Sequence, residues 1–288
     1  MVTSETQPPA PSETDRFLAD VNSQLAEGNV EITNAQQLKK MVESLADSRG
    51  MVRLGFVEAF GKIGQAAAPF VIEGLANHPN PVVRRSCGKA LAKIRDPQAV
   101  PTLIHALLND EDTVVKSSSA GALARMGEAA VPKLIEVLES ADYPQSAKGH
   151  ASWALAFIGA EAAEHLYQAI HSESEDVRMA VVGAIAKFVD EPGNDQATEI
   201  LLLALKDESV NVRAEAATSV SQLDPQVGVP HLIPLLEDPS QEVRRRAILS
   251  LGKLKDEAAL PPLTAKLSDD REEIRQLVKV AIAQIQKG

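Results

Sequence analysis

Apolar residues along this chain fall at helical spacing, in short stripes separated by polar, acidic turns. From Val100 to Asn109 the run Val-Pro-Thr-Leu-Ile-His-Ala-Leu-Leu-Asn sets Leu103, Ile104, Leu107 and Leu108 on one stripe, which predicts a helix. Pro101 stands in its first turn, where a missing N–H costs nothing. Asp110-Glu111-Asp112 reads as a turn whose acids suit the unsatisfied N–H groups opening a second helix. Val114, Val115, Ser118, Ser119, Ala122, Leu123 and Met126 are the inward positions of that helix, and Gly127 ends it.

The two-helix phrase recurs. Its second helix opens on Val52-Arg53, Val83-Arg84, Val115-Lys116, Ala147-Lys148, Val177-Arg178, Val212-Arg213, Val243-Arg244 and Ile274-Arg275, at spacings of 31, 32, 32, 30, 35, 31 and 31. A period of this size belongs to stacked-repeat architectures, so the expected fold class is all-α: an α-α superhelix, or solenoid, of about eight two-helix repeats. Six residues after each cation stands Ala59, Ala90, Ala122, Ala154, Ala184, Ser219, Ser250 or Ala281. A position that is always small marks a close approach of two helix backbones, where a larger side chain would overpack the core.

Other positions recur less strictly. Pro opens the first helix at Pro69, Pro101, Pro132, Pro230 and Pro262, and Gly64, Gly127, Gly159 and Gly252 read as helix ends. Asp stands six residues before the cation at Asp47, Asp110, Asp142, Asp207, Asp238 and Asp269. The recurring cation reads as a fastener, bonded to the acidic turn of its own or the neighbouring repeat; a row of Arg gripping an acidic partner is the alternative.

Residues 1–14 are rich in Pro, Ser, Thr and Glu, and are expected to be a disordered leader. Residues 15–34 are expected to hold an amphipathic capping helix, with Phe17, Leu18, Val21 and Leu25 on its apolar face, and a linker. The repeats fill 35–288. The longest spacing coincides with Asp190-Glu191-Pro192-Gly193-Asn194-Asp195, which reads as an exposed loop.

Composition narrows the function. The net charge of −11 argues against a nucleic-acid backbone as partner, since that needs a dense cationic field. The single cysteine, Cys87, excludes an internal disulfide, and no run of about 18 apolar residues is present to span a membrane. The N-terminus lacks the charged and apolar regions of a secretory signal, so a cytoplasmic location is expected. No nucleophile–base pair or phosphate loop stands out, and the catalytic residues stay unassigned.

Asp238-Pro239-Ser240-Gln241-Glu242-Val243-Arg244-Arg245-Arg246-Ala247, then Leu251-Gly252-Lys253-Leu254-Lys255-Asp256 and Pro262-Leu263, resembles HEAT-like repeats. More narrowly, it is similar to those of the cyanobacterial phycobilisome bilin lyases and phycobiliprotein chaperones. The resemblance covers roughly 35–288. It implies a protein-binding scaffold or chaperone of phycobiliprotein assembly or turnover, at most a template-type bilin lyase. A phycobiliprotein subunit would be the partner, and a bilin would be held only transiently, with no resident cofactor. The same repeats also imply an alternative, an adaptor for iron–sulfur cluster assembly or another complex with no bilin. They occur too in a deoxyhypusine hydroxylase that carries His-Glu pairs for a di-iron centre, but this chain has no His-Glu dipeptide.

Functional residues of a repeat protein are expected where the phrase departs from itself. The fourth unit departs most, with Ala147-Lys148 in place of Val-Arg. The window from Tyr143 to His171 holds the only tryptophan, both tyrosines and three of six histidines. Tyr143, Lys148, His150, Trp153, His165, Tyr167 and His171 are therefore the candidate partner- or ligand-binding residues, since aromatic residues dominate binding hot spots. If the second helices line the concave face, Lys148, His150 and Ser152 line the groove. The competing reading makes Trp153 a buried filler beside Ala147. Glu161 and His165 share a helical spacing, but one pair is not a metal site, and none is assigned.

Overall fold

The computed structural model describes residues 12–27, 34–191 and 194–287, and among them the chain is helical with no strand. A first helix, α1 (Glu13–Ala26), precedes eight consecutive pairs. These are α2 (Ala35–Ser44) with α3 (Gly50–Ile63), α4 (Ala68–Asn77) with α5 (Pro81–Ile94), α6 (Val100–Asn109) with α7 (Thr113–Arg125), and α8 (Val131–Glu139) with α9 (Gln145–Ile158). There follow α10 (Ala163–Ala169) with α11 (Glu175–Ile185), α12 (Asp195–Ala204) with α13 (Val210–Ser219), α14 (Pro225–Leu232) with α15 (Gln241–Leu254), and α16 (Leu260–Ala265) with α17 (Glu272–Gln286). The expected eight-repeat helical solenoid is what the chain forms.

The helices group into two compact units, 1–133 and 134–288. In the first, α3, α5 and α7 pack side by side as a row of second helices, with α2, α4 and α6 packed beside them as first helices. In the second unit α9, α11, α13, α15 and α17 form the corresponding row.

α1 packs on α3 and so takes the place of a second helix. Val21 is fully buried, the Phe17 ring lies 5.7 Å from that of Phe56, and Leu18 covers Gly55. Ser12 caps the helix through a reciprocal pair with Asp15. The expected leader and linker fall largely on 1–11 and 28–33, outside the described residues.

The column of small residues is buried at all eight positions, from Ala59 to Ala281. The recurring Arg does more than its sequence reading anticipates, because one guanidinium serves two turns. Arg178 donates to the Ser172 and Glu173 carbonyls of its own turn at 2.9 and 3.0 Å, and forks onto Asp207 of the next at 2.8 and 3.0 Å. Asp207 also accepts from the Ser209 N–H at 2.7 Å, closing its own turn. Arg84 treats the His78 carbonyl and Asp110 the same way, and Arg213 the Asp207 carbonyl and Asp238. Each clamp satisfies turn carbonyls and a mostly buried carboxylate together.

Three local readings are corrected. Gly252 lies inside α15, and the residue that ends the helix is Lys255, in the left-handed region at φ 55°. Pro230 lies inside α14, which Pro225 opens. Val114 points outward and is 46% exposed.

Candidate binding groove on the second-helix row

α9 carries the departure that the sequence marks, and the structure sorts its residues. Lys148 faces inward, where its Nζ lies 2.5 Å from Asp176 Oδ2. It reaches this carboxylate on α11 because Ser172 occupies the place that Asp207 or Asp238 holds in other turns. Lys148 is thus a variant fastener and does not line the groove as expected. Ser152 does.

Trp153 is no buried filler. It stands 51% exposed on the outward face of α9, one turn before Phe157, which is 56% exposed, with ring centroids 5.5 Å apart. Elsewhere the Phe157 position is Lys62, Lys93, Arg125, Lys187, Gln222, Lys253 or Gln284, polar in every other copy. Phe157 is the residue that sequence reasoning missed. Its signal was present in the four-residue spacing from Trp153 and in its displacement of a cation.

Beside Trp153 a groove of about 360 Å³ runs across α9, α11 and α13. Met179 and the small residues Ala180, Gly183 and Ala186 contribute to its lining, with Lys187 and Glu215. A side chain at Gly183 would meet Glu215 Oε1 at 3.1 Å, so the glycine keeps the space before that carboxylate open. The arrangement offers an aromatic face, an apolar lining, one cation and one carboxylate.

The other candidates are not gathered here. Tyr167 and His171 line a separate cleft of about 290 Å³ on the first helices α10 and α12, with Leu203, 67% exposed, among its lining. Partial burial, with the Glu164 charge, pushes the Tyr167 phenol above its ordinary range. Tyr143 is exposed in the turn before α9, while His150 and His165 are half-buried and line neither cavity. Glu161 falls in the tight turn before α10, so it shares no α-helical face with His165. Among the described residues no group of three or more His, Cys, Asp or Glu is placed to hold a metal.

Cys87 is fully buried on α5 behind Gly74, and burial pushes its thiol up to about 12. It is a protonated core residue, closed to ligation from outside.

The sequence profile of HEAT repeats matches residues 68–147 and 198–283. The chain belongs to the HEAT-repeat family. The chain is similar to the bilin biosynthesis protein MpeU of Synechococcus sp. (strain WH8020), with 41% identity over 213 residues, 74% of this chain and 72% of that protein. Among solved structures, human deoxyhypusine hydroxylase in complex with glycerol is 18% identical, covering 88% of this chain and 97% of its own, with a TM-score of 0.39. Kap121p is 13% identical over 87% of this chain and 37% of its own, with a TM-score of 0.48. Among the described residues no helix is long and apolar enough to cross a membrane.

Proposed function

We propose that this HEAT-repeat protein is a cytoplasmic scaffold or chaperone of phycobiliprotein assembly or turnover that binds a phycobiliprotein subunit. The observation that carries the binding role is the exposed Trp153–Phe157 pair, where the other repeats are polar at the second position. Rigid aromatic area at low entropic cost is what interface hot spots are made of. The client class is supported by the 41% identity to a bilin biosynthesis protein. The chain contributes positioning: a subunit held on the second-helix row sits beside a groove suited to a planar ligand, and orientation alone is worth several orders of magnitude in rate for a bilin-attachment step.

Co-expression of the full chain with phycobiliprotein subunits and a bilin-producing pathway tests this reading. A subunit that co-purifies with the chain, or gains chromophore only in its presence, supports it. Absence of both outcomes across the subunits overturns it.

A further inference from the structure

The second residue of each second helix lies in the first turn, where a carboxylate stabilises a helix by meeting its free N–H groups. In residues 134–288 that position is Ser146, Asp176, Asn211, Glu242 and Glu273, polar in every copy. In residues 1–133 it is Met51, Val82 and Val114, apolar in every copy. Met51 is 77% exposed and Val114 46%, and Leu54, three residues on from Met51, is 45% exposed. These side chains serve neither the core nor the helix ends, and a contiguous exposed apolar band is the mark of an interface.

The same three helices carry a second band near their other ends. Lys62, Lys93 and Arg125 stand nine residues after the recurring cation of α3, α5 and α7, and Lys89 lies one turn before Lys93; all four are exposed. Among the described residues Lys62, Lys89 and Arg125 make no hydrogen bond or ion pair, while Lys93 pairs with Glu58 at 2.8 Å. Glu58 is the one carboxylate that the three helices contain, against eight Lys and Arg, in a chain whose net charge is −11. Four of those eight are occupied in the turns: Arg53, Arg84 and Lys116 bond turn carbonyls, and Arg85 pairs with Asp112. The band of Lys62, Lys89, Lys93 and Arg125 is what remains, and its charge is met by little on its own face.

α3, α5 and α7 pack side by side, and packed helices lie about 8–10 Å apart. Along each helix the apolar and cationic bands are about 12–17 Å apart, at 1.5 Å per residue. A helix about 10–12 Å thick laid across the row touches both bands, and each of its heptads advances about 10 Å, one second helix per heptad. We propose that the second-helix row of residues 1–133 docks an acidic amphipathic helix of a partner protein. Met51, Leu54, Val82 and Val114 take its apolar side, and Lys62, Lys89, Lys93 and Arg125 take carboxylates that recur beside it at seven-residue steps. The choice of partner comes from charge and spacing on this row and does not rest on the proposed client. No residue of the strip lies in 134–288, so it is a second contact surface, separate from the Trp153–Phe157 pair.

The test uses the full chain and a fluorescein-labelled synthetic helix of about three heptads, with Leu at two positions of each heptad and Glu at the two beside them. Fluorescence anisotropy at low salt is expected to show saturable binding. Peptides with Lys for Glu, or Ser for Leu, are expected to bind at least about tenfold more weakly. Lys62→Glu/Arg125→Glu is expected to reverse the preference, binding the Lys peptide better than the Glu peptide. Met51→Ser/Val114→Ser is expected to weaken the Glu peptide about tenfold and to leave the charge preference in place. All four positions are exposed or half-exposed, and far-ultraviolet circular dichroism confirms that the variants are folded. Absence of saturable binding, or an unreversed charge preference in the folded Glu variant, overturns the proposal.

Trp153→Ala/Phe157→Ala separates the two surfaces. It is expected to bind the Glu peptide as the native chain does; loss of the peptide in this variant would place it on the aromatic pair and overturn the strip. If phycobiliprotein subunits are captured while the Glu peptide fails to bind, the strip falls and the proposed function stands. If the peptide binds as described but no subunit is captured, the proposed client role falls and the strip stands.

Discussion

A buried Arg in this protein is worth what it would leave behind. Removing the Arg178 guanidinium strands two turn carbonyls and the Asp207 carboxylate, all of which it satisfies at 2.8–3.0 Å. Arg178→Ala is therefore expected to cost about 2–4 kcal/mol in urea unfolding, with Arg178→Lys intermediate because the charge stays while the planar fork is lost. Arg245 pairs with Glu242 on the same helix at the surface, and its removal is expected to cost less than about 0.5 kcal/mol. The carboxylates of these pairs set the acid limit. Arg85 holds Asp112 down to about 2, and Arg245 holds Glu242 down to about 2. Burial alone would push Asp207 up, but the Arg178 fork and the Ser209 N–H outweigh it and leave it below its ordinary range. A carboxyl depressed by folding stabilises fully above its unfolded pKa near 4 and loses that contribution as pH falls through its folded value. Thermal midpoints are thus expected to be level from about pH 7 to 5 and to drop between about pH 4 and 2. The drop should be shallower in Arg85→Ala and in high salt, because that pair is near the surface.

The element scale is where the sequence was most legible and also where it misled. The 31-residue spacing, the small column and the prolines were enough to place eight helix pairs, because stacking repeats one packing problem with one solution. Gly252 was misread because the phrase carries glycine at two different places. Gly61 and Gly252 sit inside helices against a neighbour: a side chain at Gly252 would lie 3.0 Å from the Ala281 Cα. Three residues further on, Gly64, Gly127 and Gly159 adopt positive φ and end their helices, as Arg95 and Lys255 do at the same repeat position. The repeat position and the positive φ together separate the two roles. Gly159→Ala is expected to cost about 1 kcal/mol from backbone strain alone, since nothing lies within 4 Å of the added methyl. Ala184→Leu, at a fully buried member of the small column, is expected to cost about 1–3 kcal/mol or more, read as a lowered denaturation midpoint. The candidate site was half legible. Composition singled out Trp153, but whether a residue on α9 faces the core or the open row is a matter of helix phase. Phase turned Lys148 inward, while Tyr167 and His171 fall on a separate cleft because they belong to α10 and the turn after it.

At the scale of the whole molecule, charge and aromatic area divide between the units. Residues 1–133 hold 14 Lys and Arg against 15 Asp and Glu, while residues 134–288 hold 15 against 25. Nearly all the net negative charge thus belongs to the unit that also exposes Trp153, Phe157 and Leu203. Self-repulsion of that unit offsets the tendency of an apolar surface to associate with itself, leaving the aromatic pair available to a specific partner. The repeats fasten themselves through Arg, Asp and small residues, and the outward Trp153–Phe157 pair is where the fastening pattern has no use for the residues present. The most direct measurement of this claim is quantitative capture of co-expressed phycobiliprotein subunits by the native chain and by Trp153→Ala/Phe157→Ala, at matched circular dichroism and thermal midpoint. At least a tenfold loss of capture is expected in the double variant, about 1.4 kcal/mol or more of binding energy. Equal capture by the two folded proteins would contradict the account.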